Sequence, residues 1–332
     1  MTMAVLGLVV AWVAWAMTGW VRAYALRGER LIDRPNSRSS HTRPTPRGGG
    51  VAIVLSALGG LVWLVAVGRM TVAEGAALGG GGLAVAAIGF LDDHGHVAAR
   101  WRLAVHFLAA GWMMVWLGGP PPLGGLPGWA GWLVGLPALV WLLNLYNFMD
   151  GIDGIAGGEA VCAGVSGVAL LAMVGAPERA DAEWVIAAAA AGFLVWNAPP
   201  ARIFMGDAGS GFLGLILGGV ALQAALLDDR LLWAWLILLG AFITDASFTL
   251  LHRLLRGERI YEAHRSHAYQ WAARRHGHRP VTLAVVGINL LWLLPWALAV
   301  AGGVVTPALA ILIAYLPLVA LVWRWKAGSA ES

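Results

Sequence analysis

The stretch TVAEGAALGGGGLAVAAIGFLDDH (Thr71 to His94) runs almost wholly apolar from residue 72 to 91 and then ends abruptly in Asp92, Asp93 and His94. A helix rises 1.5 Å per residue, so about 20 apolar residues cross the ~30 Å hydrocarbon core of a bilayer. The stretch therefore predicts a spanning helix that delivers two adjacent carboxylates to one membrane surface. The same kind of run recurs along the chain, at roughly 3–22, 48–68, 103–119, 126–146, 157–175, 184–198, 208–227, 231–251, 281–301 and 304–323. With 72–91 these make eleven predicted transmembrane helices and place the termini on opposite sides.

Composition agrees with a lipid solvent. The 332 residues are 59% hydrophobic and 12% charged, against about 25% charged in soluble domains. Lipid restricts the backbone to helices or closed barrels. Barrel strands alternate apolar and polar residues, whereas these runs are continuous, so the fold class is all-α, a polytopic transmembrane bundle. The lone cysteine, Cys162, excludes disulfides and thiolate metal sites and reads as packing. The first run lacks a basic start and a small-residue exit, so it reads as a retained helix. No soluble domain is visible: residues 1–332 form one unit, and its longest loop, 254–280, is basic, with room for a short amphipathic helix near 269–275.

Orientation follows from the basic residues. All but Arg69, Arg179 and Arg230 of the 22 Lys and Arg residues fall on one set of connections, which the positive-inside rule places in the cytoplasm. The N-terminus is then outside and the C-terminus inside. The nine histidines and Asp92, Asp93, Asp150, Asp153 and Asp207 fall on or near the same side, while the outer connections, such as Gly118 to Gly125, look short and bland. Arg38, Arg43 and Arg47 read as orientation signals, and His106 as an interfacial polar residue. Asp245, inside an apolar run, calls for a partner or a site to line.

Four motifs share the basic side: Gly89 to His94; Asn144 to Gly154, with Asn147, Asp150 and Asp153; Phe204 to Gly211, with Asp207; and His264-Arg265-Ser266-His267 to Gln270. Ionisable groups at membrane depth are costly and usually functional. Five acids together repel unless a cation sits among them, and oxygen ligands suit a hard ion such as Mg²⁺. Asn147, Asp150 and Asp153 either share a helix face or, if Gly151 and Gly154 break the helix, line a loop at its end. The Gly/Ser-rich start after Asp207 offers backbone N–H groups that can cradle phosphate. Arg265 with His264 and His267 suits an anionic, phosphorylated ligand, and the membrane setting suits a lipid reactant.

These motifs, in this order and on one side, resemble the polyprenyl-phosphate N-acetylhexosamine-1-phosphate transferase family (glycosyltransferase family 4), above all the branch that initiates O-antigen and common-antigen synthesis. The resemblance runs from Asp33 to His267. It implies transfer of HexNAc-1-phosphate from a UDP-HexNAc to undecaprenyl phosphate, releasing UMP, with Mg²⁺ or Mn²⁺ as cofactor. It implies a metal site at Asp207 with Asp153, catalytic roles for Asp92, Asp93, Asp150 and Asp153, and donor contacts from Asn147, His264, Arg265 and His267. Two departures stand out. The pentapeptide-transferring branch has three consecutive histidines where this chain reads His-Arg-Ser-His, which argues against that donor. Lysines that often follow the aspartate pair are absent, with Arg100 and Arg102 in their place. The expected setting is the bacterial inner membrane, with the site on the cytoplasmic face, membrane lipids as partners, no nucleic acid, and a glycine face at Gly79 to Gly82 suited to a homodimer. The rival reading, a lipid-linked sugar flippase, would spread ionisable residues along a path to both faces.

Overall fold

The computed structural model describes residues 2–28, 31–35, 43–95, 97–121, 127–258 and 264–329. Arg30, Arg38, Arg259, His41 and His96, with the middle of the 118–125 connection, lie outside them. The chain is a helical bundle: α1 (Met3–Gly28), α2 (Gly50–Ala66), α3 (Val72–His94), α4 (Ala99–Trp116), α5 (Gly128–Met149), α6 (Ile155–Met173), α7 (Asp181–Asn197), α8 (Asp207–Leu227), α9 (Asp229–Leu238), α10 (Gly240–Leu255), α11 (Ala268–His276), α12 (His278–Gly287), α13 (Leu294–Ala301) and α14 (Pro307–Arg324). Each of the eleven expected runs coincides with a helix or a jointed pair. Among the described residues, seven helical segments are long and apolar enough to span a bilayer on their own. The protein is a multi-pass membrane protein.

Two of the runs are jointed. Residues 288–293 form a π-helical turn joining α12 to α13. Helices α9 and α10 meet at a 68° bend. A continuous helix would bond the Leu236 carbonyl to the Gly240 N–H. At the bend that carbonyl accepts instead from the Tyr315 hydroxyl on α14 (2.6 Å), whose ring packs where a Gly240 side chain would stand. An inserted side chain that takes over a backbone acceptor is a recognised cause of sharp kinks.

Helix α8 is the bundle's axis, buried along nearly its whole length and packed by α2, α3 and α5. Small residues set the spacing, as membrane packing favours. Three of the four glycines expected to make a dimer face, Gly80 to Gly82, are packed closely within the chain. A side chain on Gly80 would strike Trp112, on Gly81 the Ala109 carbonyl, and on Gly82 Phe212.

The four motifs gather at one end of this bundle. At the opposite end, the three arginines of the other connections are all paired, Arg69 with Asp181 (2.5 Å), Arg179 with Glu74 and Arg230 with Asp228. That end is less bland than expected, because its few cations are balanced by carboxylates. The Met3 carbonyl accepts from Trp184 at the start of α7, next to Asp181, while Gly328 donates to Ser266 (2.7 Å) in the fourth motif. The two chain ends therefore sit at opposite ends of the bundle.

Candidate active site

A short antiparallel ribbon starts the site: Ile32 pairs with Pro46 and Asp33 with Thr45. Its second strand continues beside residues 204–206, through Phe204 N–H to the Pro46 carbonyl (2.8 Å), Gly49 N–H to Phe204 (2.9 Å) and Gly50 N–H to Met205 (2.8 Å). Arg47 is thereby held against the start of α8, where its guanidinium pairs with Asp93. Read as an orientation signal from sequence, Arg47 is part of the site. Its place directly before Gly48-Gly49-Gly50, at the head of α2, was the available hint.

Asp93 is 1% exposed and accepts from the backbone N–H groups of Asp207 (3.1 Å) and Ala208 (3.3 Å). It caps α8, a carboxylate where the helix dipole favours one. Two glycines permit the approach. A Cβ on Gly89 would lie 2.6 Å from the Asp207 carbonyl, and one on Gly206, whose φ is +81°, would lie 2.6 Å from the Asp93 carboxylate. The phosphate cradle expected at this helix start is not formed, because Asp93 occupies its first N–H groups and Gly209 and Ser210 donate to the Gly206 carbonyl (3.1 Å each).

Asp92 points elsewhere. It accepts from Val97 N–H (2.8 Å) and pairs with Arg102, which also reaches Asp207 at 3.4 Å. Arg102 so bridges the first and third motifs. Arg100 does not join them: it is exposed, with its guanidinium over Trp101 at 5.7 Å.

Helix α5 ends at Met149, so the second motif follows the loop alternative. Asn147, on the last turn, accepts from the Ser210 hydroxyl (2.7 Å) and ties α5 to α8. Asp150 caps α5 and makes no side-chain hydrogen bond among the described residues. Burial, then the charges of Asp207 and Asp93, push its carboxyl well above the usual range, with Arg47 opposing. Asp153 is committed to structure: it pairs with His278 (3.1 Å) on α12 and accepts from Ala201 N–H (3.0 Å).

The fourth motif docks on the second. His267 starts α11, and Asp245 on α10 accepts from the N–H groups of Ala268 and Tyr269 (2.9 Å each) and faces His267 Nδ1 at 3.3 Å. Asp245 is the expected partnered acid. The Tyr269 hydroxyl donates to the Phe148 carbonyl (2.9 Å), and a side chain on Gly151 would begin 2.1 Å from that hydroxyl. His264 stacks on His267 with ring centroids 4.9 Å apart. Burial, then His267 and Arg253, push the His264 imidazole down to about 3, so it is neutral at physiological pH and Arg265 is the permanent cation of the segment.

Among the described residues no three His, Cys, Asp or Glu side chains group as a metal cage. Mg²⁺ does not require one, since it is commonly held by one or two carboxylates with water and substrate phosphates. Asp207, 28% exposed, and Asp150, unbonded and destabilised as an anion by its neighbours, fit that donor set. Asp153, expected as the second ligand, has its carboxylate oxygens on His278 and Ala201.

Residues 76–225 match the model of glycosyl transferase family 4. A probable undecaprenyl-phosphate N-acetylglucosaminyl 1-phosphate transferase of Bacillus subtilis is 28% identical over 273 residues, 79% of this chain and 75% of that one. An undecaprenyl-phosphate alpha-N-acetylglucosaminyl 1-phosphate transferase of Thermotoga maritima is 26% identical over 84% of this chain and 85% of its own. A decaprenyl-phosphate N-acetylglucosaminephosphotransferase of Mycolicibacterium smegmatis is 28% identical over 67% of this chain and 60% of its own. The match spans the aspartate pair, the Asn147 loop and Asp207 alike, so the chain is similar to glycosyl transferase family 4 across three of its four motifs.

Proposed function

We propose that the protein transfers HexNAc-1-phosphate from a UDP-HexNAc to undecaprenyl phosphate, giving undecaprenyl-diphosphate-HexNAc and UMP, as the first step of O-antigen or another surface polysaccharide. The names of its relatives favour GlcNAc as the sugar. The observation that carries this reading is the joining of all four motifs around Asp207 and Asp150: Asp93 and Arg102 from α3 and α4, Asn147 from α5, and His264 to Tyr269 docked on the 148–151 loop.

An oxygen of the lipid phosphate attacks the β-phosphorus of the donor. One P–O bond forms, the β-P–O bond to the uridylyl phosphate breaks, and UMP leaves with the electron pair. A phosphate monoester is largely ionised at pH 7 (second pKa about 6), so a base is hardly needed and charge neutralisation dominates. Asp207 and Asp150 would hold Mg²⁺ or Mn²⁺, which supplies charge neutralisation at the diphosphate when bound. Arg102 and Arg265 add fixed cations, and neutral His264 donates or accepts a hydrogen bond without changing the charge. Asp93 and Asp92 act as positioning residues, the first through α8 and the second through Arg102. The arginine distribution supports a cytoplasmic setting for this end of the bundle, where nucleotide sugars are found.

UMP release by the purified protein with undecaprenyl phosphate, Mg²⁺ and a panel of UDP-HexNAc donors tests the reading. Lipid-dependent UMP that vanishes in Asp207→Asn is expected, and the best donor names the sugar. Folded protein that releases no UMP with any donor would overturn it.

A further inference from the structure

A recess of about 1110 Å³ opens at the motif-bearing end of the bundle, between the end of α10, α11 and the end of α14. Phe248, His252, Trp271, Trp323, Arg324 and Lys326 form its working surface. None of the motif residues lines it. Among the described residues its lining contains two full cations and no acid, and neither Arg324 nor Lys326 has a carboxylate partner. The indole N–H of Trp271 is buried and has no acceptor among the described residues, while its ring is covered by the Arg274 guanidinium at 3.9 Å. Trp323 stands 75% exposed on the rim. The recess thus offers a wall of aromatic and aliphatic surface and positive charge without a carboxylate partner among the described residues, beside an indole N–H that lacks an acceptor among them, at the end of α14, a helix long and apolar enough to span a bilayer.

We propose that this recess binds an anionic phospholipid, its phosphate against Lys326, Arg324 and the Trp271 N–H, and its acyl chains along Phe248 and Ala320. Basic side chains at the end of a spanning helix attract anionic headgroups by about 1 kcal/mol each, and tryptophan favours this interfacial depth. Those two tendencies alone describe any basic membrane edge. The concavity and the buried, unpartnered donor are what make it a site, because an indole N–H without an acceptor is costly and a phosphate oxygen would satisfy it. The bound lipid would also brace the fourth motif. His252 Nδ1 lies 2.8 Å from the Ala327 carbonyl, and Gly328 N–H donates to Ser266 (2.7 Å), so the turn that carries Lys326 is fastened to the segment holding His264 and His267.

The test exploits Lys326, the only lysine in the sequence. The full-length protein is placed in nanodiscs of phosphatidylcholine alone or with phosphatidylglycerol, and acetylation of Lys326 by a neutral amine reagent is followed by mass spectrometry. A reporter lysine introduced as Arg27→Lys, at the exposed end of α1, gives the effect of surface potential alone. Phosphatidylglycerol is expected to slow Lys326 acetylation well beyond the reporter, and Arg324→Gln should weaken the lipid's effect about fivefold. Trp271→Phe should weaken it too, with folding checked by an unchanged thermal unfolding temperature in phosphatidylcholine nanodiscs. Equal protection of both lysines would reduce the effect to bulk surface charge and overturn the site. Protection by inorganic phosphate in phosphatidylcholine discs would reassign it to a free anion. Protection without any anionic lipid that disappears in Glu331→Gln would reassign it to the chain's own C-terminal acid. None of these outcomes depends on which sugar is transferred, or on whether one is.

Discussion

Replacing Asp93 by asparagine separates a cap from a catalyst. In the structure the Asp93 carboxylate is 1% exposed and accepts from two backbone N–H groups at 3.1 and 3.3 Å and from Arg47. Hydrogen bonds to a charged group contribute about 1.5–3 kcal/mol each, with long ones at the low end. The helix dipole adds up to about 2 kcal/mol in a partly buried setting. Arg47, 32% exposed, contributes only about 1 kcal/mol after solvent screening. Asparagine keeps one acceptor oxygen and the shape, so Asp93→Asn is expected to lose about 2–3 kcal/mol of stability, and Asp93→Ala about 4. A cycle with Arg47→Gln should return a coupling near 1 kcal/mol. Thermal unfolding in detergent, followed by the fluorescence of the 19 tryptophans, ranks the variants. Asp93→Asn and Arg47→Gln should unfold earlier than wild type, while Asp207→Asn, whose carboxylate is the more exposed, should not. If Asp93→Asn unfolded at the wild-type temperature and yet released no UMP, Asp93 would be a group acting on the reactants and the capping account would be refuted.

Three further outcomes follow from the geometry. Arg102→Ala should lower UMP release about 100-fold, the loss typical of one fixed electrostatic contact, while Arg100→Ala should stay within about twofold; equal losses would mean that α4 presents its arginines differently. Gly151→Ala puts a methyl group 2.1 Å from the Tyr269 hydroxyl, so α11 must shift and the donor KM should rise about tenfold (~1.4 kcal/mol). Tyr269→Phe in the same chain should restore part of it, and no restoration would place the damage elsewhere. The His264 imidazole, held down to about 3, is neutral from pH 5 to 9 and gains a proton only near the acid end. His264→Asn should therefore scale kcat/KM without reshaping its pH profile, and loss of a limb near pH 6–7 would refute the assigned neutrality.

The eleven helical segments could be read from sequence because lipid demands long, unbroken apolar runs, and nothing else in the chain resembles them. The bend between α9 and α10 could not, because residues 231–251 stay apolar through it and the cause, Tyr315, comes from α14. Among the site residues, Asp207, Asn147 and the His264 segment were legible as motifs. Asp245 was legible as an acid in need of a partner. Arg47 was hidden among the other arginines around it, since only its contact with Asp93 distinguishes it. Asp153 shows the reverse case. Its spacing from Asp150 is what a shared ligand set would have, and only the return of α12 reveals that His278 takes it.

The same physics narrows the charge argument made from sequence. Five acids at one membrane surface do need positive charge among them, yet the protein supplies most of it. Arg47 and the α8 N–H groups answer Asp93, Arg102 answers Asp92, and His278 with the Ala201 N–H answers Asp153. Asp245 repeats the device on α11, a carboxylate from one helix fixing the start of the next. What remains uncompensated is narrow: Asp150, with no side-chain hydrogen bond among the described residues and a carboxyl driven upward, and Asp207, with one long contact to Arg102. The proposed cation would have its place only there. The two caps bring that pair and the His264–His267 segment to the same end of the bundle on rigid helix starts, so the built-in charges do the positioning and leave Asp150 and Asp207 for the ligand.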